Sequence, residues 1–185
     1  MGRQGRSRLG GVTLIELVVV LALGALMHSL GAPALSDTLD SMRLTAGTNT
    51  LFSSVVLARS EAVKRKGRVV LCKSATGDAC ASTGNWEQGW IVFHDANNNA
   101  AFDAGEALVS REPALNARVR VKATAPVENY VSYAPDGSTR LTSGAFQAGT
   151  LTLCLRSIGP VVARSIVIYK SGRPRTSRTT VQQCD

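Results

Sequence analysis

The chain has 185 residues, an apolar fraction of 44% and a formal net charge of +8. This length suits one domain of roughly 100–150 residues plus an appendage. The two histidines and four cysteines lack zinc-ligand spacing, which argues against a zinc protein. The sequence also lacks a catalytic triad, a phosphate-binding glycine loop and a paired-carboxylate motif. It therefore predicts a protein that is not an enzyme and needs no cofactor.

The N-terminal segment combines a basic leader with an apolar run. Three arginines precede Val12, and the run from there to Leu35 approaches the roughly 20 residues that span a bilayer. A cleaved signal peptide is the alternative, because Ala32-Pro33-Ala34 offers a small-residue cleavage site. Against it stands Glu16, a carboxylate whose insertion into lipid costs about 2.5–3.5 kcal/mol. A disposable leader has no reason to carry that cost.

The stretch Gly11-Val12-Thr13-Leu14-Ile15-Glu16 resembles the processing site of type IV pilins and type II secretion pseudopilins. The resemblance implies that a prepilin peptidase cuts after Gly11 and that the new N-terminus at Val12 is methylated. It also implies that Glu16 pairs with the N-terminal amine of a neighbouring pilin in a filament. Val12 departs from the phenylalanine that is usual at this position. The expected divisions are a leader at 1–11 and a transmembrane assembly helix at 12–35.

A second helical pattern follows the apolar run. Apolar residues at i+4 and i+7 spacing predict an amphipathic helix over 36–66 that continues into a head domain. Lys64-Arg65-Lys66 complements the helix dipole, and Gly67 suits a left-handed stop. The apolar stripe consists of Leu44, Leu51, Val55 and Ala62, with Phe52, Val56 and Val63 beside it.

Residues 67–185 change to short β-branched runs separated by turn residues, which are typical of antiparallel strands. The fold class is therefore α+β, with a long N-terminal helix packed on a small antiparallel β-sandwich or roll, as in type IV pilins. Trp86 and Trp90 are expected in the core rather than in a ligand site. The predicted strands cover residues 69–72, 89–93, 119–121, 130–133, 151–155 and 165–169.

Four cysteines in an exported head favour two disulfides. Three pairings are possible, and we predict Cys72 with Cys80 and Cys154 with Cys184. The second pair would tie down a chain end that would otherwise fray, because Cys184 is the penultimate residue.

A polar loop after residue 94 partly matches a calcium-binding loop. Oxygen-bearing side chains occupy the first, third, fifth, ninth and twelfth positions of that pattern. However, Ala100 replaces the glycine of the sharp turn and no flanking helix is evident, so a polar connector is the alternative. We predict no resident metal, and calcium stays a weak candidate. The side chains concerned are Asp95, Asn97, Asn99, Asp103 and Glu106.

The C-terminal segment is basic. Six of the basic residues follow Leu155, where the only acid is Asp185. This asymmetry predicts a localised anionic partner, with a solvated charged tail as the alternative. If Cys184 is bonded to Cys154, the arginines lie on a loop that is pinned at both ends and lose less entropy on binding.

Here the resemblance narrows to the FimT/GspH-type minor pilins. It rests on residues 57–63, on Gly89-Trp90-Ile91-Val92-Phe93 with Asp95, and on the terminal Gly172-Arg173-Pro174-Arg175. FimT proteins that end with a Gly-Arg-x-Arg segment bind DNA during natural transformation. The resemblance therefore implies a DNA partner for this chain.

Carried over residue by residue, the resemblance implies phosphate contacts by Arg173 and Arg175. Charge alone adds Lys170, Arg178 and Arg164 to the predicted DNA-binding set. Arginine suits this role because its planar guanidinium pairs bidentately with phosphate oxygens. Nothing in the segment reads base sequence.

The sequence thus predicts a minor type IV pilin that binds extracellular DNA for natural transformation. The alternative is a structural minor pseudopilin of type II secretion, or a pilus-priming subunit, without DNA affinity. The expected location is a single pass through the inner membrane with a periplasmic head, followed by the pilus filament at the cell surface.

Overall fold

The computed structural model describes residues 11–185, except for the side chains of residues 26–34. The chain has two compact units, Met1–Asp40 and Ser41–Asp185. The helix α1 covers Leu14–Arg65. Apart from Gly11, the predicted leader lies outside the described residues.

Thr13 caps the N-terminus of α1. Its Oγ1 accepts a hydrogen bond of 3.3 Å from the backbone N–H of Glu16. This bond satisfies one of the free N–H groups of the first turn, and the Glu16 carboxylate complements the helix dipole there. Glu16 thus has a local structural role in addition to the subunit pairing that the sequence predicts.

Apolar side chains of the first unit are exposed, with Val12 at 71% and Leu14 at 82%. Over the part of the chain that the structure describes, no helix combines the length and apolar character needed to cross a membrane. The predicted span at 12–35 includes residues 26–34, whose side chains lie outside the described set.

The second unit confirms the predicted α+β class. Among the described residues it contains two four-stranded antiparallel sheets, in the orders β3-β2-β1-β5 and β4-β6-β7-β8. The strands are β1 (Val69–Lys73), β2 (Trp90–His94), β3 (Ala107–Glu112), β4 (Val119–Ala123), β5 (Tyr130–Tyr133), β6 (Gly149–Leu155), β7 (Val161–Ile168) and β8 (Pro174–Val181).

The main core joins both sheets to the part of α1 within the second unit. The four residues of the predicted stripe are buried, and Leu51 and Val55 have no exposed surface, whereas Val56 and Val63 beside the stripe are exposed. Both tryptophans lie in this core, as predicted. Trp90 Nε1 donates to Ser54 Oγ at 2.9 Å, and Trp86 Nε1 donates to a backbone carbonyl at 3.1 Å. Each indole is therefore buried with its N–H satisfied.

The Tyr133 hydroxyl is buried without a hydrogen-bond partner. Among the described side chains, no other polar atom is in this situation. Burial raises the pKa of this phenol, while the Arg59 charge acts in the opposite direction. An unsatisfied buried hydroxyl costs about 1–3 kcal/mol, so Tyr133→Phe should raise the free energy of unfolding by about 1 kcal/mol. Urea denaturation near neutral pH measures this change, and a destabilised variant would show that the hydroxyl is satisfied in solution.

Both predicted disulfides are present. Cys72 of β1 bonds Cys80, which lies after that strand, and Cys154 of β6 bonds Cys184 near the chain end. Cys184 also exchanges two backbone hydrogen bonds with Ser157, of 2.7 and 2.9 Å. The C-terminus is thereby anchored to the second sheet.

The end of α1 differs from the prediction. Lys66, not Gly67, has the left-handed backbone, with φ of 52°. The N–H groups of Lys66 and Gly67 donate to the carbonyls of Val63 and Ala62 at 3.4 and 3.3 Å, which is a Schellman motif. A Cβ at Gly67 would instead overlap the His94 ring, which would have to move. The prediction that Gly67 forms the left-handed stop is wrong.

The sequence patterns also missed β3 and β8. Both are edge strands, since β3 pairs only with β2 and β8 only with β7 in the described sheets. None of their residues is fully buried, and half of β3 and most of β8 are exposed, so they lack the apolar alternation that identifies a strand. The prediction of a basic C-terminal loop is therefore wrong, because that segment is largely a strand.

Candidate nucleic-acid interface

The basic segment forms a β-hairpin. β7 and β8 pair antiparallel, with Ile168 opposite Pro174 and Val167 opposite Arg175. Gly172 in the connecting turn has φ of 75°, and its N–H donates to the carbonyl of Tyr169 at 2.7 Å. Glycine adopts this backbone without strain. The hairpin holds the cations in a fixed framework. From the sequence, a loop pinned by the disulfide was expected to do this.

The predicted cations do not share one face. Opposite residues of an antiparallel pair lie on the same side of a sheet, and Arg164 lies opposite Arg178. Arg164 is half-buried, and its Nη2 donates to Thr45 Oγ1 of α1 at 2.9 Å. Arg175 lies opposite Val167, on the other side of the sheet. The structure thus separates Arg164 and Arg178 from Arg175.

Arg173 and Arg175 lie together in an open groove. The groove has a volume of about 330 Å³ and is also lined by Tyr169 and Ser171. All four lining residues are exposed. Among the described contacts, neither arginine forms an ion pair or a side-chain hydrogen bond. Their guanidinium groups are therefore available to a ligand.

Several other cations of the head have acidic partners. Their pairs are Lys122–Asp185 at 3.3 Å, Arg120–Glu87 at 3.9 Å, Arg111–Asp78 at 2.6 Å, and Glu61 with Lys64 and Arg65 at 3.3 and 2.6 Å. The bond from Lys122 lowers the pKa of Asp185, and bonds from Arg65 and Lys64 lower the pKa of Glu61. Local pairing therefore accounts for Lys64 and Arg65 at the end of α1, whereas the groove arginines lack such partners among the described residues.

Thr139 fixes the hairpin turn from behind. Its buried hydroxyl shares its single proton between the carbonyls of Gln147 and Tyr169, which lie 2.6 and 3.0 Å from Oγ1. Its backbone N–H donates to the carbonyl of Lys170 at 3.3 Å. Sequence reasoning missed this contribution, because no local pattern connects residue 139 with residue 170.

Gly172 packs on a second turn. A Cβ at Gly172 would overlap the carbonyl oxygen of Gly137. That same oxygen accepts a hydrogen bond of 3.1 Å from Arg59 Nε of α1. The glycine of the Gly-Arg-x-Arg segment therefore allows close backbone approach, and Arg59 holds the surface on which the arginine-bearing turn rests.

The candidate calcium residues satisfy one another. The two Asp95 carboxylate oxygens accept backbone N–H bonds from Asn99 and Ala100 at 3.1 and 3.0 Å. The amides of Asn97 and Asn99 donate to Asp103 at 2.8 and 2.7 Å, and these bonds lower the pKa of Asp103. Within the described residues, no group of three or more His, Cys, Asp or Glu is placed to hold a metal. These internal hydrogen bonds agree with a polar connector, and the calcium interpretation stays a prediction.

A family model covers most of the chain. The model described as type II transport protein GspH matches residues 47–172. The chain belongs to the GspH family. The GspH match includes most of the second-unit part of α1, from residue 47 on, and most of the head, and it ends before Arg173. The groove arginines therefore lie outside the segment that the family model covers.

This GspH-family chain is also similar to a pilin. It is 31% identical over 96 residues to the pilin-like protein PilA1 of Thermus thermophilus. That match covers 52% of the chain and 54% of the relative, so the chain spans about half the length of this curated relative.

Crystal structures show the same fold in another pilin. The type IV minor pilin FimU of Pseudomonas aeruginosa PAO1, in two crystal forms, superposes with TM-scores of 0.55 and 0.58 at 17% identity. The matches cover 77% and 79% of this chain and 100% and 98% of FimU. The GspH match places the chain among the minor pilins and pseudopilins of the type IV pilus and type II secretion class, and FimU has the same fold.

Proposed function

We propose that this chain is a minor type IV pilin that captures extracellular DNA through its phosphates during natural transformation. The observation that carries the proposal is the exposed groove in which Arg173 and Arg175 lie without carboxylate partners among the described residues. Phosphate oxygens match the planar donors of guanidinium, which stays charged at all working pH values. Because such contacts carry no sequence information, the binding would be independent of base sequence.

The remaining predicted cations would contribute unequally. Lys170 lies in the turn between β7 and β8 and would add a further positive charge to those of Arg173 and Arg175. Arg178 is exposed on the other side of the sheet and would contact a ligand that wraps the edge at β8. Arg164 already donates to Thr45, so it would add long-range attraction rather than a phosphate contact.

The N-terminal proposals concern export and assembly. A prepilin peptidase would cut after Gly11, Val12 would be methylated, and residues 12–35 would anchor the chain in the inner membrane. The head would then face the periplasm until assembly into the pilus. The exposed apolar side chains around Glu16 support packing against lipid or other pilins. N-terminal sequencing of the exported chain tests the cut, and a start at Leu35 would contradict it.

The DNA proposal predicts a specific loss. Arg173→Ala/Arg175→Ala should weaken binding of the full chain to duplex DNA by at least about tenfold, because bonds to charged groups contribute about 1.5–3 kcal/mol each. If four cations neutralise phosphates, log affinity falls against log salt with a slope of about −3 to −4, and the double variant should lower its magnitude by about 2. Mobility-shift titrations across a salt series measure both quantities.

Arg120→Ala/Lys122→Ala is the matched control. It also removes two cations from the head, but both are paired with carboxylates. Affinity and slope should stay close to those of the unchanged chain. An equal loss in both double variants would indicate a general charge effect, and a wild-type slope near zero would remove DNA as the ligand.

A structural role without DNA binding is the second candidate. It is favoured by the position of β8 at the edge of its sheet, where the outer backbone groups can pair with a strand of a neighbouring subunit. The chain would then be a minor pseudopilin of type II secretion or a priming subunit. Normal filament assembly by the Arg173→Ala/Arg175→Ala variant, together with lost DNA uptake, would exclude this reading of the hairpin.

A further inference from the structure

Two exposed aromatic rings, those of Phe146 and Tyr169, lie beside the basic turn between β7 and β8. The chain has four Phe, two Trp and three Tyr residues, and all of them fall within the described part. Of these rings, only Phe146 and Tyr169 are classed as exposed, at 55% and 47%. The buried aromatic residues serve the core, so these two rings need a different explanation.

Phe146 lies close to two cations, and Tyr169 lines a groove with two others. The guanidinium carbon of Arg140 lies 4.4 Å from the centroid of Phe146, and Lys170 Nζ lies 5.9 Å from the same centroid. Tyr169 lines the groove with Arg173 and Arg175. The rings thus alternate with positive charge.

The two rings are held on one rigid support. Gln147, the neighbour of Phe146, is fully buried, and the Thr139 hydroxyl bonds the carbonyls of both Gln147 and Tyr169. Arg140 and Phe146 also form an antiparallel bridge that closes their turn. A ligand that binds here therefore meets rings whose backbone is already fixed, which reduces the entropy lost on binding.

We propose that Phe146 and Tyr169 form a stacking platform for the bases of single-stranded DNA, with Arg140 as a further backbone contact. The proposal rests on the proposed function, since Arg173 and Arg175 would hold the phosphates. Duplex DNA hides its base faces within its own stack, whereas a single strand presents them to aromatic rings and arginine planes. Alternating rings and cations therefore match a single strand better than a duplex.

The test uses the full chain and three DNA probes. These are an oligothymidylate of about 16 nucleotides, an abasic strand of the same length and a duplex of matched length. The oligothymidylate should bind more tightly than the abasic strand. Since stacking contributes about 1–3 kcal/mol per base, Phe146→Leu and Tyr169→Leu should each weaken its binding about fivefold or more. Neither change should alter affinity for the duplex or the abasic strand.

Two further variants separate stacking from other effects. Tyr169→Phe keeps the ring and should retain oligothymidylate binding. Ile158→Ala removes a 96% exposed apolar side chain from the turn at the opposite end of β7 and should change nothing. Equal affinities for oligothymidylate and the abasic strand, or leucine variants that bind normally, would overturn the platform while leaving phosphate capture intact. Failure of every probe to bind would overturn both proposals.

Discussion

Gly172→Ala is expected to lower the free energy of unfolding by about 3 kcal/mol, with a parallel loss of DNA affinity. Two costs combine at this residue. A non-glycine residue at its φ of 75° is strained by about 1–2 kcal/mol. A Cβ would also overlap the Gly137 carbonyl oxygen, which belongs to backbone and cannot rotate away as a side chain could. The turn that carries Arg173 must therefore shift.

Gly144→Ala provides the matched control. Gly144 has a similar φ of 86°, but a Cβ there would meet nothing within 4 Å. It should show the backbone strain alone, about 1 kcal/mol. Urea denaturation of both variants and mobility shifts with duplex DNA measure the difference. Equal losses of stability would show that the Gly137 contact is unimportant, and unchanged DNA affinity in Gly172→Ala would show that the turn does not position the arginines.

Local patterns predicted the parts of the fold that bury a continuous apolar face. The stripe from Leu44 to Ala62 is apolar because one side of α1 enters the core, and β1, β2 and β4 to β7 contain β-branched residues for the same reason. Of the two predicted disulfides, Cys154–Cys184 followed from the need to anchor the chain end. The edge strand β8 was not predicted, because most of its side chains face solvent and it therefore has no apolar pattern.

The candidate site was predictable in composition but not in arrangement. The charge asymmetry and the Gly-Arg-x-Arg resemblance predicted Arg173 and Arg175, which the structure brings into one groove. The side of the sheet on which Arg164 lies depends on the register of β7 and β8. The sequence predicted a loop for this segment, so no register could be assigned from it. Phe146 lies more than twenty residues earlier in the chain, and tertiary contacts such as those of Thr139 and Lys170 connect its segment with the hairpin.

Gln147→Leu is expected to have the largest effect on stability, a loss of about 4 kcal/mol, because it leaves three backbone groups of the head without partners. The Gln147 side chain is fully buried. Its Oε1 accepts the N–H of Ser132 at 2.9 Å, and its Nε2 donates to the carbonyls of Pro126 and Tyr130 at 2.7 and 2.9 Å. Leucine has a similar size but no polar atom, so each group would lose its partner at a cost of about 1–3 kcal/mol.

Gln183→Leu is the control for this change, since Gln183 is exposed and its amide bonds only the carboxylate of Asp185 among the described contacts. It should alter the free energy of unfolding by no more than about 0.5 kcal/mol. Hydrogen exchange adds a local readout, because the Ser132 N–H should lose protection in Gln147→Leu before the helix α1 does. A loss below about 1 kcal/mol would mean that water replaces the amide. The segment that carries Phe146 would then be held chiefly by Thr139.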